Sequence, residues 1–142
     1  MTDQAQCPCG SGRPYADCCG PFISGAAVPA TAEQLMRSRY TAYAQCNADW
    51  LRETWDPTTR PVSLDLDEPV RWIGLRIVSA ESGGPRDDRG TVEFVARYKA
   101  GGRAHRIHER SRFERRDGRW FYVDGDLEPG GAGKPSSGRA DR

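Results

Sequence analysis

The sequence predicts an α+β chain, with helices first and a curved antiparallel sheet afterwards, preceded by a small cysteine-built knuckle. Three observations carry this. Four of the five cysteines fall between positions 7 and 19. Helical periodicity covers positions 31 to 55. Alternating strands broken by tight-turn residues cover positions 70 to 124. The 142 residues suffice for one ordinary domain plus a small appendage.

The knuckle comes first, at residues 1–24. Cys7 and Cys9 are followed, after eight intervening residues, by Cys18 and Cys19. The stretch between them is rich in turn residues and too short for a core of its own. The first ten residues lack a basic start and an apolar run, so no secretory signal is expected and a reducing cytoplasm is. In that setting clustered cysteines point to metal before disulfides. Cys7, Cys9, Cys18 and Cys19 are therefore the candidate ligands. Zinc is preferred, because closed four-cysteine sites in small knuckles are structural zinc; an iron–sulfur cluster would use the same donors. Gly10 and Gly12 let the loop curl back, and backbone N–H groups there can reach the thiolates. Arg13 is the expected counter-charge. Cys46 reads as a small core residue rather than a fifth ligand.

After a linker at Ser24–Ala30, a helix starts near Thr31. Thr31-Ala32-Glu33-Gln34 fits a capping box, with Met36, Tyr40 and Tyr43 on one face and Leu35, Ala42 and Cys46 beside it. A shorter helix carries Trp50, Leu51, Thr54 and Trp55 and stops at Asp56-Pro57. Arg60–Glu68 reads as extended with an acidic end. Strands are expected at Val70–Ala80, Thr91–Ala100, Arg103–Arg115 and Arg119–Asp124, turning at Glu81–Arg89, Gly101-Gly102 and Asp117-Gly118. The Gly/Pro/Ser-rich tail, 128–142, reads as disordered. The domain proper is thus 25–127.

These residues carry a resemblance. Cys7-Pro8-Cys9-Gly10-Ser11-Gly12 with Tyr15 and Cys18-Cys19-Gly20 resembles the SEC-C motif, the zinc knuckle at the carboxyl end of the SecA ATPase. Leu35–Tyr43, Thr54-Trp55, Val92–Ala96, His108–Phe113 and Gly118–Trp120 resemble the YchJ family of bacterial proteins. The similarity spans about residues 7–125. It implies a SEC-C knuckle followed by a nuclear transport factor 2-like (cystatin-like) cone of helices on a bent sheet. The tail has no cysteine, so the second knuckle of some relatives is not expected. The SecA knuckle is lysine-rich and contacts SecB and the ribosome; here Arg13 is the loop's single basic residue, opposed by Asp17, and neither partner is carried over.

Charge excludes some roles. There are 21 Lys plus Arg against 20 Asp plus Glu, a net of +1, which does not suit a general nucleic-acid coat. No apolar run spans a membrane. No Walker or dinucleotide glycine pattern occurs, and no Ser-His-Asp arrangement can be read from spacing. Cone-shaped folds often enclose a pocket where isomerase or dehydratase chemistry needs a buried acid or base. On the strand 103–115, Ile107, Glu109, Ser111 and Phe113 share a face. Glu109 is the candidate acid/base, with Tyr40, Tyr43, Arg39 or Tyr98 as partners; the competing reading is a structural carboxylate tying helix to sheet. Between Arg97 and Arg119 nine basic residues face three acidic ones, a local net of +6, followed by Trp120 and Tyr122. Such a stripe could contact RNA or an acidic protein. A solvated sheet face, offset by Asp65–Glu68, is preferred. Domains of this fold often dimerise through the sheet, and the arginines could mediate or block that. The expected use is binding of a protein partner or small ligand; the alternative is a small isomerase, dehydratase or hydrolase.

Overall fold

Each backbone donor and acceptor taken from water must find a partner, and in this chain a single antiparallel sheet supplies most of them. A computed structural model describes residues 6–62 and 70–127. The four described strands are β1 (Val70–Ser82), β2 (Arg89–Ala100), β3 (Arg103–Arg116) and β4 (Arg119–Leu127), paired in sequence order as a meander. Glycines at positive φ turn the β2–β3 and β3–β4 hairpins at Gly101-Gly102 and Gly118. The expected strand at Arg60–Glu68 and the tail 128–142 fall largely or wholly outside the described residues. β1 and β4 run further than their alternation suggests. Register shifts between Trp72 and Gly74, between Ile77 and Ser79 and between Arg112 and Phe113 break the two-residue period there.

One sheet face carries Leu75, Ile77, Val92, Phe94, Ala96 and Phe113, and the helices cover it. They are α1 (Cys19–Ser24), α2 (Ala32–Ala44) and α3 (Ala48–Glu53). The Thr31 hydroxyl caps α2, accepting from the Gln34 N–H at 3.1 Å. The return arm of the box lands one residue upstream, where the Gln34 side-chain oxygen accepts from the Ala30 N–H. Leu35, Met36, Tyr40 and Ala42 are buried as their spacing requires. Asn47 caps α3 through the Trp50 N–H.

Two expectations fail here. Cys46 is exposed rather than a core residue: α2 ends at Ala44, and Cys46 sits at φ 58°, off the helical face. Thr54 and Trp55 are not helical. The chain leaves α3 at Glu53 and runs beside β4, with Trp55 bridged in parallel to Tyr122 and Tyr122 N–H bonded to the Thr54 carbonyl. The aromatic packing of Trp55 on Tyr122, with ring centroids 5.2 Å apart, outweighs the helical propensity of the last turn. The knuckle also holds more structure than its composition suggests: a 3₁₀ turn at Tyr15–Asp17, then α1. Among the described residues no helix is long and apolar enough to cross a membrane.

Candidate metal centre and the polar cluster of the sheet

Four sulfur atoms meet at the N-terminal end. The Sγ atoms of Cys7, Cys9, Cys18 and Cys19 all lie within 4.8 Å of one another, and all four residues are at most 9% exposed. A tetrahedral divalent ion with bonds of about 2.3 Å to sulfur sets ligand edges of about 3.8 Å. The Cys9–Cys18 edge is 3.6 Å. The donor set and its spacing fit one metal ion. Two backbone features make this convergence possible. Gly10 and Gly12 adopt φ 81° and 85°, which turns the chain back so that the Cys7 N–H reaches the Arg13 carbonyl at 2.9 Å. Then α1 begins at Cys19, holding the second cysteine pair against the first.

The thiols compete for charge. Cys9 is drawn down to about 4, chiefly by its hydrogen bond with Cys19 and against the cost of burial, with help from Ser11 and Cys18. Cys19 is pushed up by that same hydrogen bond and by burial. Burial likewise raises Cys18. Protein groups alone thus stabilise one thiolate at the expense of its neighbours, whereas a divalent cation stabilises all four.

The cluster is sealed by α2. Thr41 Oγ1 lies 3.4 Å from the Cys19 sulfur and 3.6 Å from that of Cys7. The expected counter-charge is misplaced in the sequence reading. Arg13 is exposed and donates to the Asp17 carbonyl within its own loop. Arg37, on α2, reaches the cluster instead: its Nη1 donates to the Cys9 carbonyl at 3.0 Å and lies 3.8 Å from the Cys9 sulfur. A helix repeat brings Arg37 and Thr41 to one face, four residues apart, but nothing local to them signals sulfur. Ser11 supplies the loop's contribution, with its hydroxyl 3.1 Å from Cys18 Sγ and its backbone N–H on Cys9.

A second polar cluster lies where α2, α3 and the sheet meet. Glu109 Oε2 accepts from Ser111 Oγ at 2.8 Å and from the Tyr122 hydroxyl at 3.0 Å. Arg39, 3% exposed, donates to the Leu51 carbonyl and Thr54 Oγ1. Its guanidinium lies between the Trp55 and Tyr122 rings, 4.8 and 4.6 Å from their centroids. Burial lowers its pKa, opposed by Tyr43, Tyr122 and Glu109. Tyr122 is pushed well above the usual phenol range, first by burial and then by the Glu109 charge. The expected face therefore holds, and Arg39 faces Glu109 electrostatically. Tyr40 and Tyr98 instead pack on Trp72, 5.6 and 5.1 Å between centroids. Tyr122 is the partner that the sequence reading assigned to the basic stripe. Trp120 is likewise buried, with Nε1 donating to the Ala30 carbonyl.

One side of this carboxylate is covered by β4 backbone. A Cβ added at Gly125 would lie 2.8 Å from the Glu109 carboxyl carbon and closer still to Oε2, so the carboxylate rests on the bare β4 backbone. Cavities among the described residues lie elsewhere. One of about 30 Å³ is lined by Val28, Leu35, Trp50 and Trp120. An open groove of about 500 Å³ is lined by Glu81, Arg89, Thr91, Arg112 and Glu114. His108 bonds Glu93 at 2.7 Å, and His105 stacks on Tyr98, so neither histidine joins the sulfur cluster.

The comparisons agree with this architecture. A model of the YchJ middle NTF2-like domain matches residues 31–125, and one of the SEC-C motif matches residues 5–21. The chain belongs to the YchJ family. Its curated relatives include a UPF0225 protein of Ralstonia nicotianae, 55% identical over 87% of this chain and 92% of that protein. A UPF0225 protein of Chromobacterium violaceum is 56% identical over 86% of this chain and 93% of its own length. Among solved structures, a SEC-C motif-containing protein from Rhodopseudomonas palustris superposes with a TM-score of 0.75 at 41% identity, covering 84% of this chain and 96% of that one. A SEC-C motif-containing protein from Psychrobacter arcticus gives 0.70 at 27% identity, over 90% and 86%. The family, the NTF2-like fold and the leading SEC-C motif anticipated from the sequence all hold.

Proposed function

We propose that this YchJ-family chain is a binding module without a reaction of its own, in which one structural zinc ion on Cys7, Cys9, Cys18 and Cys19 pins the knuckle to α2. The carrying observation is the closure of the sulfur site. Catalytic zinc keeps one position for water or substrate. Here four buried cysteines offer four sulfur donors, enough for a tetrahedral ion, and Thr41 and Arg37 cover them from α2. The Glu109 cluster supports the same reading. A catalytic carboxylate needs reach to a substrate proton. Glu109 Oε2 is engaged by Ser111 and Tyr122 and abuts Gly125. A reducing compartment suits such thiolate ligands.

Elemental analysis of freshly purified, reduced protein tests the staple: one zinc per chain is expected. Cobalt substitution should give the absorption of a tetrahedral all-sulfur site. Absence of stoichiometric metal, or iron with cluster absorbance, overturns the assignment.

A further inference from the structure

The outer face of the sheet, turned away from the helices, divides into two electrostatic halves. Toward the ends of β3 and β4, three arginines meet carboxylates, although Arg119 stands opposite Arg116. Arg110 faces Glu93, Arg112 holds Asp124 and Asp126, and Arg116 holds Asp56 and Glu114. The other half is different. Arg71 stands directly opposite Lys99, and Arg97 directly opposite Arg106. Arg76, opposite Val95, flanks them. All five side chains are exposed, and none forms an ion pair with a carboxylate among the described residues. Like charges directly across an antiparallel pair sit about 5 Å apart and destabilise the sheet. Among the described residues, two such pairs side by side are a local conflict that no carboxylate compensates, and conflicts of that kind mark function.

We infer that this half-face is a docking surface for the phosphate backbone of double-stranded RNA, bound without regard to sequence; the inference rests on reading the chain as a binding module. The chemistry of the patch selects the partner. Four of the five cations are arginines, whose planar fork matches phosphate oxygens. An acidic peptide would need pockets for the side chains between its carboxylates, whereas the open groove lies at the opposite, neutralised end. A single strand would need aromatic stacking platforms. The neighbouring rings, Trp72 and Tyr98, belong to the helix-covered face, where they pack on each other and on Tyr40. A broad sheet cannot enter the major groove of B-DNA as a helix or two-stranded ribbon does. A-form RNA presents its phosphates across a wide, shallow minor groove, and that shape suits such a face. The basic stripe read from the sequence thus contributes three of its nine cations, Arg97, Lys99 and Arg106, and β1 adds Arg71 and Arg76.

The test is fluorescence anisotropy of labelled duplex RNA of mixed sequence, titrated with metal-loaded, full-length protein. Four to six phosphate contacts predict that affinity falls roughly 10²- to 10³-fold between about 50 and 200 mM salt. Arg97→Gln/Arg106→Gln should lower affinity at least about tenfold and flatten the salt slope by about 2. The same variant relieves a like-charge pair, so its melting temperature should stay level or rise, which separates lost binding from lost folding. Arg86→Gln, in the β1–β2 turn, should change neither. No RNA binding, binding unaffected by the double variant, or tighter binding of duplex DNA or polyglutamate would overturn the inference. Because the protein is assayed with its metal content measured, such a failure leaves the zinc staple standing.

Discussion

The two buried polar clusters of this chain are built on opposite principles. The sulfur cluster is local in sequence: four donors within thirteen residues, brought together by two left-handed glycines and a six-residue helix. Its members cannot all satisfy one another, and one thiol's gain in charge is another's loss. The Glu109 cluster is assembled from α2, α3, β3 and β4, and its acceptors and donors meet inside the protein. A buried polar group without a partner costs about 1–3 kcal/mol, more if charged. A cluster that is incomplete without a guest therefore signals a ligand, and one that is complete signals architecture.

The largest test of this contrast is removal of a sulfur. Cys18→Ser should strip amide-exchange protection from residues 6–24 and lower stability by about 3 kcal/mol or more, while β2 and β3 stay protected. Unchanged protection in the knuckle would break the comparison, because that region would then hold its shape without the staple.

A medium effect is expected at Gly125. Gly125→Ala should cost about 1–3 kcal/mol in urea unfolding, because the new methyl must displace a carboxylate anchored by Ser111 and Tyr122. In a Glu109→Ala background the same substitution should cost less than about 0.5 kcal/mol, the obstacle being gone. Additive costs would mean that Glu109 is free to move, as a catalytic group would be.

The smallest effect concerns acid. Asp56 is lowered to about 2, first by the hydrogen bond from Arg116 at 2.6 Å, against the cost of burial and with help from Thr58. A carboxylate lowered in the folded state contributes stability that is complete above its unfolded pKa near 3.8 and is lost as pH falls through about 2. Arg116 is half-exposed, so the contribution is about 1 kcal/mol. Asp56→Asn should flatten the decline of urea midpoints between about pH 4 and 2 by that amount and leave pH 7 binding of metal untouched. The flattening is partial, because Glu93 and Asp126 shift in the same direction through their basic partners.

Much of the molecule was legible because its signals are short-range. Cysteine spacing, the Thr31 cap, the face of α2 and the hairpin glycines each act within about four residues, and the structure honours them. Errors arose where a contact far along the chain decided. Arg37, not Arg13, meets the sulfurs, because α2 docks on the knuckle 28 residues after Cys9. Tyr122, not Tyr40 or Tyr98, bonds Glu109, because the β3–β4 register sets it across from Phe113 on the covered face.

By itself the sequence determined the family, the order of helices and strands, and the four cysteines that cluster, since periodicity and spacing are properties of the chain alone. Only the tertiary structure decided which charges are answered. Glu109 and Asp56 find partners, while Arg71, Lys99, Arg97 and Arg106 face their own kind. The physical reason is distance: electrostatic and hydrogen-bond partners are chosen within a few ångströms in space, and strand register brings together residues that the linear order keeps apart.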